Sequence, residues 1–184
     1  MIKNAIPRIK DGFQNAWVVP DLQAAIKYWV EDIGVGPWFT LRPNVENARY
    51  RGQPTHSGST IAVSWMGDLE IELIQPDDDR PSVYRDTVPA GRTGFHHICV
   101  WTDNLDRAVT AYREEGFVTA FEGNAGILRF AYVDTSPMLG CMIEILEENP
   151  TVRARFEAMK TICANWDGTD PVRTRPTTGP LVHT

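Results

Sequence analysis

Cysteine is scarce in this sequence: Cys99, Cys141 and Cys163 are the only three among 184 residues, odd in number and without a CxxC spacing. That excludes a disulfide framework and a thiolate zinc site, and it predicts free, mostly buried thiols. Positive charge is also in deficit, with 18 Lys and Arg against 24 Asp and Glu and a formal charge of −6. With no basic stripe to follow a phosphate backbone, nucleic acid is not an expected partner. No apolar run reaches the ~20 residues of a bilayer crossing, and the opening MIKNAIPRIKDGF has no secretory apolar segment. These absences predict a soluble cytoplasmic protein with no membrane partner. A phosphate-binding loop, a dinucleotide fingerprint and a G-x-S-x-G elbow are missing too, so neither a nucleotide cofactor nor a serine nucleophile is expected. Histidine is rare, four in all, yet two stand side by side in TGFHHICVW.

What is present is a pattern stated twice. Leu22, Ala25, Ile26, Trp29, Val30 and Ile33 share one helical face after Asp21, a suitable N-cap, and the pattern stops at Gly34. Leu105, Ala108, Val109 and Tyr112 repeat the offsets, with Asp103 or Asn104 as cap and Gly116 at the end. A short β-prone run precedes each helix, FQNAWVV and FHHICVW, and three more follow it. These are PWFTLR, STIAVSWM and LEIELIQ in the first half, FVTAFEG, ILRFAYVDT and CMIEILE in the second. Each half therefore reads β-α-β-β-β, over residues 12–76 and 94–148, and the predicted fold class is α+β. The segment between them, PDDDRPSVYRDTVPAGRTG, has the Pro, Gly and Asp content of a linker. A further helix is predicted after residue 148, with Asn149 as cap, Pro150 at its first position, and Val152, Phe156, Met159 and Cys163 on one face. The sequence from Asp167 onward is rich in Pro, Thr and Gly, which predicts an extended or mobile tail.

The repeat also aligns polar residues. Counting back eight positions from Leu22 and Leu105 lands on Gln14 and His97, and EIELIQ against MIEILE sets Glu72 opposite Glu144. A carboxylate within an apolar strand is costly unless charge or hydrogen bonds compensate it. Two modules related by a pseudo-twofold axis bring their first and fourth strands together, so Gln14, Glu72, His97 and Glu144 are expected to converge. One imidazole, two carboxylates and an amide oxygen suit a borderline divalent ion such as Zn²⁺, Ni²⁺ or Co²⁺, in preference to iron. Strand alternation turns His96 away from His97 and gives it a structural or supporting role.

The stretches FQNAWVVPDLQAAIKYWVEDIG, LEIELIQP, GFHHICVWTDNLDRAVTAYREEGF and MIEILE resemble the vicinal oxygen chelate superfamily, in particular its glyoxalase I and methylmalonyl-CoA epimerase branches. The resemblance covers about residues 12–147. It implies a single domain over 1–148 in which paired βαβββ modules cup one divalent metal, with 149–184 as an appended helix and tail. It implies Gln14, Glu72, His97 and Glu144 as ligands, Glu144 as the group that receives a proton from carbon beside a carbonyl, and Glu72 as ligand and second base. The activity implied is isomerase, epimerase or lyase chemistry on a thioester or oxoacid derivative, in a homodimer. The Gln/Glu/His/Glu set is similar to eukaryotic glyoxalase I, whereas the HH doublet and the ELIQP ending look more like the epimerases. Bacterial epimerases carry a glutamate on the third strand, and the matching run STIAVSW has none. Two other readings stay open: a non-haem iron ring-cleaving dioxygenase, which needs a second histidine from His96 or His56, and a metal-free module that sequesters a small molecule. Candidate substrate contacts are Trp38 beside Phe39, as pocket wall or core; His56, as stand-in base or surface residue; and Arg51 with Arg49, as anion partners or surface charges. Trp65 and Trp101 carry the same ambiguity as Trp38.

Overall fold

The computed structural model describes residues 7, 11–56 and 58–174. Its strands are β1 (Gln14–Val18), β2 (Trp38–Leu41), β3 (Val45–Tyr50), β4 (Gln53–Pro54), β5 (Ser59–Met66), β6 (Leu69–Pro76), β7 (Gly94–Thr102), β8 (Val118–Ala125), β9 (Leu128–Asp134), β10 (Met142–Glu147) and β11 (Val172–Thr174). The helices are α1 (Leu22–Tyr28), running on as a π-helical turn over Trp29–Ile33, then α2 (Leu105–Glu114), the single turn α3 (Ser136–Leu139) and α4 (Pro150–Ala164). All the strands join one curved mixed sheet in the order β11-β2-β5-β6-β1-β7-β10-β9-β8-β3-β4.

The two halves meet at β1 and β7, which pair antiparallel, while β1 pairs parallel with β6 and β7 pairs parallel with β10. The four strands that carry Gln14, Glu72, His97 and Glu144 are therefore neighbours at the centre of the sheet. Alternation sorts their side chains between two faces. On the outer face, Ile71 and Leu73 pack under Leu22 and Ile26 of α1, and Ile143 and Ile145 pack under Leu105, Ala108 and Val109 of α2. On the inner face, Ala16, Val18, Ile74, Cys99, Met142 and Leu146 belong to a separate core.

Both outer helices start where a side chain satisfies a free N–H. Asp21 accepts from the Ala24 amide at 3.0 Å and Asn104 from the Arg107 amide at 2.8 Å. The helical run that begins with α1 ends at Gly34, whose φ of 79° is the left-handed conformation glycine adopts without strain. α4 is capped by Asn149, which accepts from Thr151 N, and lays Val152, Phe156 and Met159 into the inner core. Phe156 is the hub there, meeting Phe13, Trp65 and Trp101 edge-on at centroid distances of 5.9, 6.1 and 5.3 Å.

Two features depart from the sequence expectation. First, β3 and β4 form an additional hairpin, and β3 leaves its own half to pair with β8. Second, the linker is not simply solvated, because its Val83, Tyr84 and Val88 are buried in the inner core. In the tail from Asp167, Val172–Thr174 form a strand, β11, parallel to β2; the rest of that tail, 175–184, lies outside the described residues.

Candidate metal centre

At the floor of the inner face, His97 Nε2 looks onto three oxygens. Gln14 Oε1 and Glu144 Oε2 each lie at 3.1 Å and Glu72 Oε2 at 3.5 Å. His97 is fully buried and the two glutamates are nearly so. Ligand-capable atoms of Glu72, His97 and Glu144 all fall within 4.8 Å of one another. All four sequence candidates thus meet at one place, one from each central strand.

The orientation of His96 differs from the alternation expectation. Ala16 pairs with His97 but the next residue, Trp17, pairs with Phe95, so β7 bulges at His96. A bulge sets two residues against one and lets consecutive side chains point the same way. Phe95 consequently packs on Trp17 at the outer face, while His96 and His97 both reach the Tyr132 ring.

This doublet fixes the proton on each ring. His96 Nε2 is 3.1 Å from Val83 O, which only accepts, so Nε2 carries the hydrogen. Burial, reinforced by the neighbouring His97, lowers the His96 pKa to about 3, so its other nitrogen is a bare acceptor. That nitrogen, Nδ1, lies 2.9 Å from His97 Nδ1 and takes the His97 hydrogen. With Nδ1 engaged in this way, His97 Nε2 faces the Gln14, Glu72 and Glu144 oxygens, an arrangement that either a proton on Nε2 or a metal cation among the four groups reconciles. Donors bound to one ion at about 2.0–2.1 Å stand about 2.9 Å apart at cis octahedral positions and about 3.4 Å apart in a tetrahedron. The observed 3.1 and 3.5 Å spacings are of that size. The residues therefore fit a divalent ion with one nitrogen and up to three oxygen ligands, and they fit it with a supporting histidine that holds the ligand imidazole in the right tautomer.

Sequence reasoning missed four further groups. Glu70 is fully buried and lines the same cavity as Glu72, two residues away on the same face. Its signal was available in the alternation of LEIELIQ. Cys99 sits on the inner face of β7, and burial followed by Glu144 pushes its thiol well above the usual range. Burial and then Glu144 likewise raise Tyr132. Tyr84, from the linker, packs its ring 5.3 Å from His96 and meets the Ser59 hydroxyl at 3.3 Å.

The proposed substrate contacts fare differently from the metal set. Trp38 is fully buried on the outer face with Leu22, Ile26 and Leu73, and its indole N–H donates to Val35 O at 2.9 Å, so it is core and not pocket wall. Its neighbour Phe39 takes the inner face by alternation. Trp65 and Trp101 are likewise packed in the aromatic group around Phe156. Arg51 is held by Asp86 and Asp134 at 2.8 and 2.9 Å, where it pins the β3–β4 turn to the linker and to the end of β9 instead of awaiting an anion. Arg49 donates to Gly52 O. His56 is exposed and borders another cavity of about 410 Å³, which shares Tyr84 and Phe121 with the one above the metal-ligand cluster.

Comparison with known structures agrees on the fold. Methylmalonyl-CoA epimerase from Mycobacterium tuberculosis is 17% identical with a TM-score of 0.53, over 84% of this chain and 97% of that one. A methylmalonyl-CoA epimerase in complex with methylmalonyl-CoA and NH₄⁺ is 16% identical with a TM-score of 0.51, covering 79% and 96%. A variant of the Streptomyces coelicolor methylmalonyl-CoA epimerase, in complex with 2-nitronate-propionyl-CoA, is 16% identical with a TM-score of 0.50, also covering 79% and 96%. No curated protein sequence matches the chain. The sequence profile of the Glyoxalase/Bleomycin resistance protein/Dioxygenase superfamily matches residues 13–132, from the strand of Gln14 through that of Tyr132. With that match over well more than half its length, the chain belongs to the Glyoxalase/Bleomycin resistance protein/Dioxygenase superfamily.

Proposed function

We propose that this protein is a metal-dependent isomerase, epimerase or lyase that moves a proton at carbon beside a carbonyl, on a thioester or a related oxoacid derivative. The observation that carries the reading is the convergence of two carboxylates and one amide oxygen on Nε2 of His97. Gln14, Glu72, His97 and Glu144 would hold a divalent ion, with Zn²⁺, Ni²⁺ and Co²⁺ matching the mixed nitrogen and oxygen donors. When bound, such an ion acts as a Lewis acid toward the substrate carbonyl and acidifies the adjacent C–H. Glu144 then receives the proton on a carboxylate oxygen. Glu72, 3.5 Å from the same imidazole but on β6 in the other half, would serve as ligand and second base. Tyr132 stays protonated beside them, because burial and Glu144 disfavour its phenolate.

The ring-cleaving alternative needs two histidines and a carboxylate at iron. His97 is the single imidazole facing the oxygens among the described residues, because His96 spends one nitrogen on Val83 and the other on His97, and His56 borders a different cavity. The proton-transfer reading therefore has the better support. Its test is solvent deuterium incorporation at the α-carbon, measured on metal-loaded protein across a panel of thioesters and oxoacid derivatives. Incorporation should occur with the wild type and fall by at least ~100-fold in Glu144→Gln, whose amide cannot accept a proton. Retention within a few-fold would overturn the role of Glu144.

A further inference from the structure

The cavity above the metal-ligand cluster has a polar floor and an apolar mouth. Gln14, Glu70, Glu72 and Glu144 form the floor and are buried. Leu41, Pro43, Val45, Ile61, Ala125 and Leu128 form a collar of half-buried aliphatic side chains around the outer end. Phe121, Phe130, Leu146 and Phe156, all buried, line it as well, together with Tyr84 and Tyr132. Three carboxylates line this cavity and no Lys or Arg does so among the described residues. The two arginines adjacent in sequence to the collar are engaged elsewhere, Arg42 with Asp77 and Arg129 with Asp106 and Glu147.

From this, and resting on the proton-transfer reading above, we infer that the substrate enters with an uncharged, short branched aliphatic group at its reacting end, not with a free carboxylate or phosphate there. A divalent ion offsets Glu72 and Glu144, and the rest of the lining is aliphatic and aromatic, with the Tyr84 and Tyr132 hydroxyls but no cationic side chain among the described residues. A carboxylate carried into that space finds no guanidinium or ammonium group, and an unpaired buried anion is strongly disfavoured. An aliphatic group displaces water from the collar and gains by it. Size narrows the class further. The cavity measures about 90 Å³, and a dry apolar cavity of about 150 Å³ holds a benzene ring. Scaling gives roughly four carbons in all, the carbonyl included, the size of an isobutyryl group.

The test is a matched ligand pair. Isobutyrohydroxamate offers vicinal oxygens and two methyl groups, and the monohydroxamate of methylmalonate replaces one methyl with a carboxylate. Both are titrated at pH 7.5 into zinc-loaded and chelator-stripped protein, with binding read from amide chemical shifts, which report down to millimolar affinity. The neutral compound should bind at least about tenfold tighter in both forms, since the discriminating groups are side chains and not the ion. Leu128→Arg, or Ala125→Lys should the first variant fail to fold, supplies the missing cation and should erase or invert that ratio. Equal affinity, a preference for the carboxylate, or binding of neither ligand in either form would overturn the inference. If zinc improves the affinity of neither ligand while the tenfold ratio holds in stripped protein, the metal reading fails and the substrate class stands.

Discussion

His96→Phe is the most informative single change, because it keeps the shape of the site and removes only its wiring. Phenylalanine preserves a ring beside Tyr84 and Tyr132, which lie 5.3 and 5.5 Å from the imidazole. It deletes the acceptor 2.9 Å from His97 Nδ1 and the donor 3.1 Å from Val83 O. His97 is then free to carry its hydrogen on Nε2, the atom that has to stay bare to ligate. Removing a partner that orients a metal-ligating histidine costs roughly 10–100-fold in affinity, about 1.4–2.8 kcal/mol. Losing two buried hydrogen bonds costs about 1 kcal/mol each in the metal-free fold, partly offset by the more apolar ring. Zinc affinity measured by competition with a chromophoric chelator at pH 7.5 should therefore fall by at least tenfold, while circular dichroism stays that of the wild type. A variant that folds normally and binds zinc within threefold of wild type would refute the claim that His96 sets the tautomer of His97.

Three further outcomes follow from the same geometry. His97→Ala removes the one nitrogen ligand and should leave less than about a tenth of the wild-type metal content after dialysis, by elemental analysis; full occupancy would remove His97 from the site. The metal-free protein should also lose stability on mild acidification. His96 titrates at about 3 in the fold but near ~6.5 in an unfolded chain, so its contribution is complete above that value and shrinks as pH falls toward 3, by at most ~1.4 kcal/mol per unit. Urea midpoints at pH 7.5, 6 and 5 should decline more steeply for wild type than for His96→Phe, and parallel declines would contradict a neutral buried imidazole. Phe156→Ala should destabilise by about 3–5 kcal/mol, since the ring sits 7% exposed among Phe13, Trp65 and Trp101; a loss below ~1 kcal/mol in chemical denaturation would mean that α4 is not part of the inner core.

The parts of this structure that were legible in the sequence are those set by neighbours in the chain. Helix caps at Asp21, Asn104 and Asn149 act within three residues, and strand alternation at EIELIQ and MIEILE needs no knowledge of partners. The offset of eight residues that matches Gln14 with His97 is of the same local kind, and for that reason the four polar positions could be aligned before any tertiary contact was known. Glu70 obeys the identical alternation as Glu72 and was equally readable. What escaped depends on pairing between distant strands. The bulge at His96 exists because β1 and β7 slip by one residue at Ala16, and nothing within FHHICVW records that slip. For Trp38 and Phe39, both buried aromatics, alternation says they part company but not which one faces inward; that is decided by the pairing of β2 with β5.

The strand that changed sides shows how far such nonlocal pairing shapes the site. VENARY places Glu46 and Asn47 side by side, breaks strand alternation and has no repeat counterpart in the second half, so sequence offered no reason to expect it beside β8. By crossing over, β3 brings Val45 opposite Ala125 across the inner face of the cup, and the resulting collar belongs to both halves at once. Arg51, at the turn that follows, clamps this arrangement to Asp86 of the linker and Asp134 at the end of β9. The linker in turn supplies Val83 O to His96. A substitution at Arg51 would therefore reach the ligand cluster through two covalently continuous segments, although Arg51 itself touches none of the four ligands. The duplicated core strands bring the ligands together, while the segments that break the duplication set the tautomer of one ligand and close the mouth above it.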